Sequence, residues 1–590
     1  MANAERRRLW WLLLGLCWLL AWPLSVWGAE SVEVVISGVE DRELDNVRAV
    51  LSLPPGLVQD GKVDLLWLER FIRQIPNKLP TALEPFGYYH SSADTRLEVG
   101  PGGLHRVHVT IAPGIPVRVS AISVRIEGDG AQNPGLLRMA RDFPLQVGDV
   151  LQHETYEEGK GAMESRAVDL GFIAADLRRH EVRVTRASAE AEIDLVLATG
   201  PLYYFGETRL SGAPDYPEPF LRRFLAFRSG EVFSYAKLGQ TQLNFLDSDR
   251  FREIVITPQL AEVSGALVPV EVRLQQLPTR RLRPGIGYGT DTGARLSLRY
   301  EDVNSFDLGH ELGGDLLLAE RKRTVETNYT IPSLRNIDSF TRFRLGYDQD
   351  VNDTFDSTKT FAEVERVRGF GQGRIGSIYL RLVQEDYTIG TEDSTSRMVL
   401  PGVRYSQRRF HDLVRPKGGY SYSLEVRGGH QALGSDTGLL QGLASANALL
   451  PLPWNLALLS RVQGGMTLQN EPLREVPASL RFYAGGDQSV RGYGYQTLGP
   501  RDASGKVVGG KHLAVGSVEL ERAFGENWGV ALFYDLGNAY NNLSDLEWAM
   551  GTGVGVRRYT VVGPIKVDLA RQVGEDDPAF RLHISIGFGW

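Results

Sequence analysis

Few residues in this chain are spaced for bond-making chemistry. Gly371-Gln372-Gly373-Arg374-Ile375-Gly376 has the G-x-G-x-x-G spacing with which a backbone cradles a dinucleotide phosphate. That use requires the glycines to open a helix whose first N–H groups face the anion. Here Ile378, Leu380 and Leu382 continue in alternation, which predicts a strand and argues against a phosphate site. His105 and His108, three apart on a predicted strand, point to opposite faces and read as surface residues, not as metal ligands. The chain has no His-Glu-x-x-His, Gly-x-Ser-x-Gly or Walker motif. Its single cysteine, Cys17, forms neither a disulfide framework nor a cysteine-ligated metal site. The expectation is a protein that is not an enzyme, with no cofactor, no metal and no catalytic residue.

Composition narrows the classes further. With 590 residues, 42% hydrophobic and 23% charged, the chain is too apolar for disorder and long enough for several domains. Sixty-five Lys and Arg against 72 Asp and Glu leave a formal charge of −7, so no basic field invites nucleic acid. Arg6, Arg7 and Arg8 precede an apolar run from Leu9 to Leu24, and Gly28 and Ala29 offer a cleavage point. Residues 1–29 therefore read as a signal peptide, with a membrane anchor as the alternative. No later stretch approaches the roughly 18 apolar residues of a spanning helix, leaving an exported soluble protein or a transmembrane barrel.

The elements that must position any functional residue fall into two textures. Up to residue 278 a unit repeats. Strands end alike at Ile36-Ser37-Gly38, Ile126-Glu127-Gly128 and Leu210-Ser211-Gly212, 90 and then 84 residues apart. Gly148-Asp149-Val150 recurs as Gly230-Glu231-Val232, each followed by a helix-compatible stretch, 152–169 and 234–248. Each unit closes on an alternating strand, ending with Val268, Val270 and Val272 in the third. The order strand, two helices, two strands predicts two-layer α+β domains over 30–114, 115–200 and 201–278.

From 279 to 590 helical periodicity gives way to alternating segments separated by Gly- and Asp-rich turns, the signature of an antiparallel transmembrane β-barrel. In the last one Leu582, Ile584, Ile586, Phe588 and Trp590 share one face, and Arg581, His583, Ser585 and Gly587 the other. About 16 such segments can be counted, an even number as single-chain bacterial barrels require. Pro284 within the first segment cannot donate a ladder hydrogen bond. Gly285 and Gly287 beside it, with Gly587 and Gly589 flanking Phe588 and Trp590 at the end, weaken both edges that must meet. A seam that opens sideways to lipid is the expectation, unless Pro284 merely begins the first strand.

The longest interruption, between Thr467 and Lys511, holds Gly485-Gly486-Asp487, then Val490-Arg491-Gly492-Tyr493, then Thr497-Leu498-Gly499-Pro500. It resembles the Val-Arg-Gly-Phe/Tyr motif in the sixth extracellular loop of the POTRA-plus-barrel superfamily that assembles or exports outer-membrane proteins. Gly509-Gly510 with Glu519, then Phe533, Asp535 and Gly537, then Gly563-Pro564 through Leu569 are similar to that family's motifs on strands twelve, thirteen and fifteen. The resemblance implies POTRA domains in the periplasm, whose sheet edges pair with extended clients, and a barrel of the bacterial surface antigen type in the bacterial outer membrane. It implies too that the loop folds into the lumen and that Arg491 pairs with Asp535, with Glu519 near. A guanidinium fork suits that role, and a lone pair predicts that alanine at either position has the same effect.

Three POTRA-like units point within the superfamily to the TamA branch, the outer-membrane subunit of the translocation and assembly module. That placement implies insertion or translocation of β-barrel proteins such as autotransporters through the seam. It also implies unfolded outer-membrane clients and outer-membrane lipids as partners, with a TamB-like inner-membrane-anchored protein. A general barrel-assembly insertase or a two-partner secretion exporter is the alternative within the superfamily. Outside it stand a passive pore and a hydrolase using carboxylates on the lumen wall.

Overall fold

The computed structural model describes residues 31–590 except 102, 391, 411–417, 526, 561–562 and 587–590. The signal segment lies outside the described residues, as do Gly587, Phe588, Gly589 and Trp590 of the expected seam. The first domain runs β1 (Ser31–Ser37), α1 (Asp41–Val50), β2 (Val58–Gln59), β3 (Lys62–Val63), α2 (Leu65–Leu83), β4 (Ser92–Val99) and β5 (Leu104–Ala112). Strand β5 is central, parallel to β1 and antiparallel to β4. Asp64 caps α2 by accepting from the Trp67 N–H at 3.0 Å. Helical spacing then places Leu68, Phe71, Ile75 and Leu79 on one buried face, against Val107, Val109 and Ile111 of β5. Each such side chain contributes about 1.5–3 kcal/mol by leaving water. The β2–β3 hairpin departs from the expected element order. Asp60 and Gly61 turn it with φ of 51° and 71°, the conformation that an Asp-Gly pair favours.

The second domain repeats the plan with β6 (Arg118–Glu127), α3 (Pro134–Arg141), α4 (His153–Asp169), β7 (Asp176–Thr185) and β8 (Glu190–Ala198), β8 central. The third has β9 (Tyr204–Ser211), α5 (Glu218–Arg222), α6 (Tyr235–Leu246), β10 (Phe251–Pro258) and β11 (Leu267–Gln276). Rings of Phe220, Phe224, Phe245 and Phe251 pack against one another, Phe224 and Phe245 with centroids 4.9 Å apart. The same segment meets the barrel. The Arg250 guanidinium lies over the Phe220 ring and donates to Glu311 at 2.5 Å, and Arg223 donates to the Ile337 carbonyl at 2.6 Å.

Sixteen antiparallel strands close the barrel. They are β12 (Arg280–Gly289), β13 (Gly293–Ser305), β14 (His310–Ala319), β15 (Lys322–Pro332), β16 (Phe340–Val351), β17 (Phe355–Gly369), β18 (Arg374–Ile389) and β19 (Glu392–Phe410). Then follow β20 (Gly419–Gly429), β21 (Leu439–Leu452), β22 (Leu456–Gln469), β23 (His512–Phe524), β24 (Trp528–Tyr540), β25 (Ala549–Thr560), β26 (Gly563–Val573) and β27 (Phe580–Ile586). The period-two pattern sorts the wall. In β24, Val530, Leu532 and Tyr534 are exposed outward, whereas Gly529, Ala531, Phe533 and Asp535 face a filled interior.

Candidate functional site: the lumen loop and the seam

Residues 470–511, between β22 and β23, enter the lumen and are held at three places. The deepest is Arg491. Its backbone N–H donates to Asp535 at 3.1 Å, and its Nε and Nη2 grip the two Asp535 oxygens at 2.7 and 3.0 Å. Nη1 donates to Glu519 at 2.8 Å and to Asp568 at 3.1 Å. Arg557 completes the network, donating to Glu519 at 2.7 Å and to Asp568. These five groups are at most 9% exposed, and Asp535 is fully buried. Inward phases of β23, β24, β25 and β26 deliver Glu519, Asp535, Arg557 and Asp568 to one spot.

The Arg491 guanidinium also lies 3.4 Å above the Phe533 ring centroid, a cation–π contact. Burial works against its charge, and the hydrogen bond to Asp535 with the Asp535, Glu519 and Asp568 charges outweighs burial and raises its pKa. Glycine at 551 is required on the wall, because a Cβ there would stand 1.9 Å from the Arg491 carbonyl oxygen. Around the arginine, Val490 and Tyr493 pack with Ala549, and the Tyr493 hydroxyl donates to Glu575 at 2.9 Å. Gly492 donates its N–H to His583 Nε2 at 3.0 Å.

The second hold is on the far wall. Glu385 of β18 is fully buried and accepts from Ser357 Oγ at 2.8 Å, from the Ser479 N–H at 3.0 Å and from the Ser479 hydroxyl. Gln441 of β21 donates to the Leu480 carbonyl at 2.9 Å. Val476 and Leu480 fill the space beside Val383, Met398, Leu400 and Leu439.

The third lies at the seam. Among the described residues β12 and β27 share one register pair, Gly289 with Ser585, whereas every residue from Ile565 to Arg571 pairs across β26 and β27. Pro284 lies inside β12, four residues past its start, so it does not simply begin the strand. Gly285 and Gly287 face inward. A Cβ on Gly287 would come within 2.7 Å of Arg295 Nε, so the missing side chain gives Arg295 its path to the Ile586 carbonyl, which it reaches at 2.7 Å. Thr290 adds one backbone bond to Ile584 at 3.0 Å.

Several residues here were not singled out from sequence. Arg557, Asp568 and Glu385 carry only the signal of an inward-phase charge, which becomes informative once strand register is known. The decoys resolve simply. Gly371 and Gly373 form a turn into β18, with no helix behind them. His108 pairs with Glu98 at 3.1 Å, but His105 is 7% exposed and faces the core with Val107, a correction to its reading as a surface residue. Strand alternation brought it there.

Comparison with known proteins bears on this arrangement. Residues 304–590 match the Omp85 superfamily domain, and residues 33–113 match POTRA domain TamA domain 1. The chain is 24% identical over 394 residues to outer membrane protein assembly factor BamA of Nitratidesulfovibrio vulgaris, covering 64% of this chain and 49% of that one. It is 20% identical over 403 residues to the BamA of Neorickettsia risticii, covering 64% and 53%. The chain thus spans about half the length of the curated relatives it matches. The crystal structure of Haemophilus ducreyi BamA lacking POTRA domains 1–3 superposes with a TM-score of 0.65 at 14% identity, over 80% of this chain and 99% of that one. The barrel lies in the outer membrane and the POTRA domains in the periplasm.

Proposed function

We propose that this protein is an Omp85-superfamily assembly factor of the TamA type, which inserts or translocates β-barrel clients such as autotransporters through the seam of its own barrel. Its POTRA domains capture the unfolded clients, and a TamB-like inner-membrane-anchored protein is its partner. The seam carries the reading. Among the described residues the two edges share a single register pair, and edges that part there would offer N–H and C=O groups to template an incoming strand. The filled lumen favours a sideways route over an axial one. The match of residues 33–113 to the TamA POTRA family supports the branch.

A double variant, Gly289→Cys with Ser585→Cys, tests the route. Paired positions of an antiparallel ladder lie about 4.5–5.5 Å apart at Cα, within disulfide range, and Cys17 is the only native cysteine. Oxidised protein should fold, lose assembly of an autotransporter client, and regain it on reduction. Full activity in demonstrably crosslinked protein would overturn lateral opening.

A further inference from the structure

The tip of the lumen loop touches both edges of the seam through one residue. On the β12 side, Thr290 Oγ1 donates to the Asp487 carboxylate at 3.1 and 3.3 Å, and the Asp487 N–H donates to Asp291 Oδ2 at 2.7 Å. On the β27 side, Asp487 is hydrogen-bonded to His583 Nδ1. The direction of that last bond follows from the other ring nitrogen. A backbone N–H can only donate, so Gly492 fixes His583 Nε2 as an acceptor, and in the neutral ring the proton sits on Nδ1, pointing at Asp487.

Asp291, Asp487 and His583 bring ligand atoms within 4.8 Å of one another, a spacing a cation could use. Asp291 Oδ1, which has no hydrogen-bond partner, speaks for an ion. Against one stands the Nδ1 proton, which occupies the lone pair a metal would need. Freeing that lone pair would move the proton to Nε2, against the Gly492 N–H.

We propose that Asp487 is a positioning residue that clasps the seam, bridging the turn after β12 and the strand β27 by side-chain hydrogen bonds beside the one register pair seen among the described residues. The turn after β12, the last strand and the loop segment that ends in Arg491 are then one unit. Parting of these edges requires Asp487 to release His583 on one side or both Thr290 and Asp291 on the other, so the loop controls the gate. This rests on the lateral-seam reading above, but its test needs no client.

Hydrogen–deuterium exchange on the full-length protein in lipid nanodiscs reports the opening equilibrium directly, since exchange in the fast-reclosing regime scales with it. In Asp487→Ala, peptides covering 285–291 and 580–586 should exchange about tenfold faster, the order expected when charge-assisted hydrogen bonds are lost. Peptides of β24 around Asp535 should keep native protection, because Arg491 still holds the loop. Asp487→Asn, which keeps an acceptor and is the milder change should alanine misfold, should show a smaller acceleration at both edges. The double variant with His583→Ala should be no faster than the faster single variant. Native protection at either edge in both Asp487 variants would overturn the clasp. So would acceleration of the unmodified protein by EDTA and its reversal by zinc, which would assign the three residues to a cation instead. Failure of the disulfide experiment alone would remove client passage through the seam and leave the Asp487 bridge between its edges standing.

Discussion

The Arg491 anchor and the seam lie in the same barrel and solve closure in opposite ways. At the anchor, two guanidinium groups and three carboxylates are buried and bonded to one another. At the seam the described residues give one register pair, joined by contacts from Arg295, Thr290 and Asp487. Buried ion networks are poor sources of net stability but costly to break singly, because the group left behind cannot be solvated. Backbone ladders are cheap to break one rung at a time. The loop is therefore fixed with little tolerance for partial release, and the wall beside it is divisible.

The largest expected effect would break the anchor. Arg491→Ala takes from Asp535 its guanidinium fork and leaves Glu519 and Asp568 to Arg557, and should cost on the order of 3–5 kcal/mol of local stability. Asp535→Ala should cost less, since Arg491 keeps Glu519 and Asp568. The equal effects expected of a lone pair are replaced by unequal ones, and the double variant should match Arg491→Ala. Limited proteolysis at 485–500 measures release of the loop. Arg491→Lys should restore part of the hold, because an ammonium lacks the planar fork.

An intermediate effect sharpens the contrast by moving to the far wall. Glu385→Ala leaves the Ser357 and Ser479 donors without their acceptor, at a cost of about 1–3 kcal/mol. Protease sensitivity should rise near 479, with seam-edge exchange unchanged. Loss of protection at the seam would mean that the walls are not independent.

The smallest effect concerns pH at the seam. Burial, and then the Asp487 carboxylate, push Asp291 up to about 6. An aspartate in the unfolded chain ionises near 3.9, so between about pH 4 and 6 the folded state holds a proton that the unfolded state has released. By linkage the contribution of Asp291 to stability falls as pH rises through that window and is constant above it. Asp291→Asn keeps an acceptor for the Asp487 N–H and should flatten the slope, by on the order of 1 kcal/mol after solvent screening. Opening constants for 285–291 at pH 5 and pH 7, corrected for intrinsic exchange, check it.

Much of the fold was legible because strand alternation is a local signal. Leu582, Ile584 and Ile586 against His583 and Ser585 announce a two-faced strand without any partner being known. Asp60-Gly61 was equally local, but four strand residues are too few to show a period, and the hairpin was missed. The site divides along the same line. Arg491 and Asp535 were named through a family motif, whereas Arg557 with Asp568 depends on the register of β25 against β26, which a one-residue slip would reverse. The Asp487 contacts join segments 96 and 197 residues apart, and no spacing in the chain encodes them.

The join between the third POTRA domain and the barrel has a mechanical consequence. Phe220 lies against Gly309 in the turn between β13 and β14, Arg250 pins Glu311 on β14, and Arg223 holds the carbonyl of Ile337, in the turn before β16. All three attachments fall within the first five strands, the side of the cylinder that begins with β12. A torque on the third domain is therefore not shared evenly around the circumference. It enters through the strands on the β12 side of the seam.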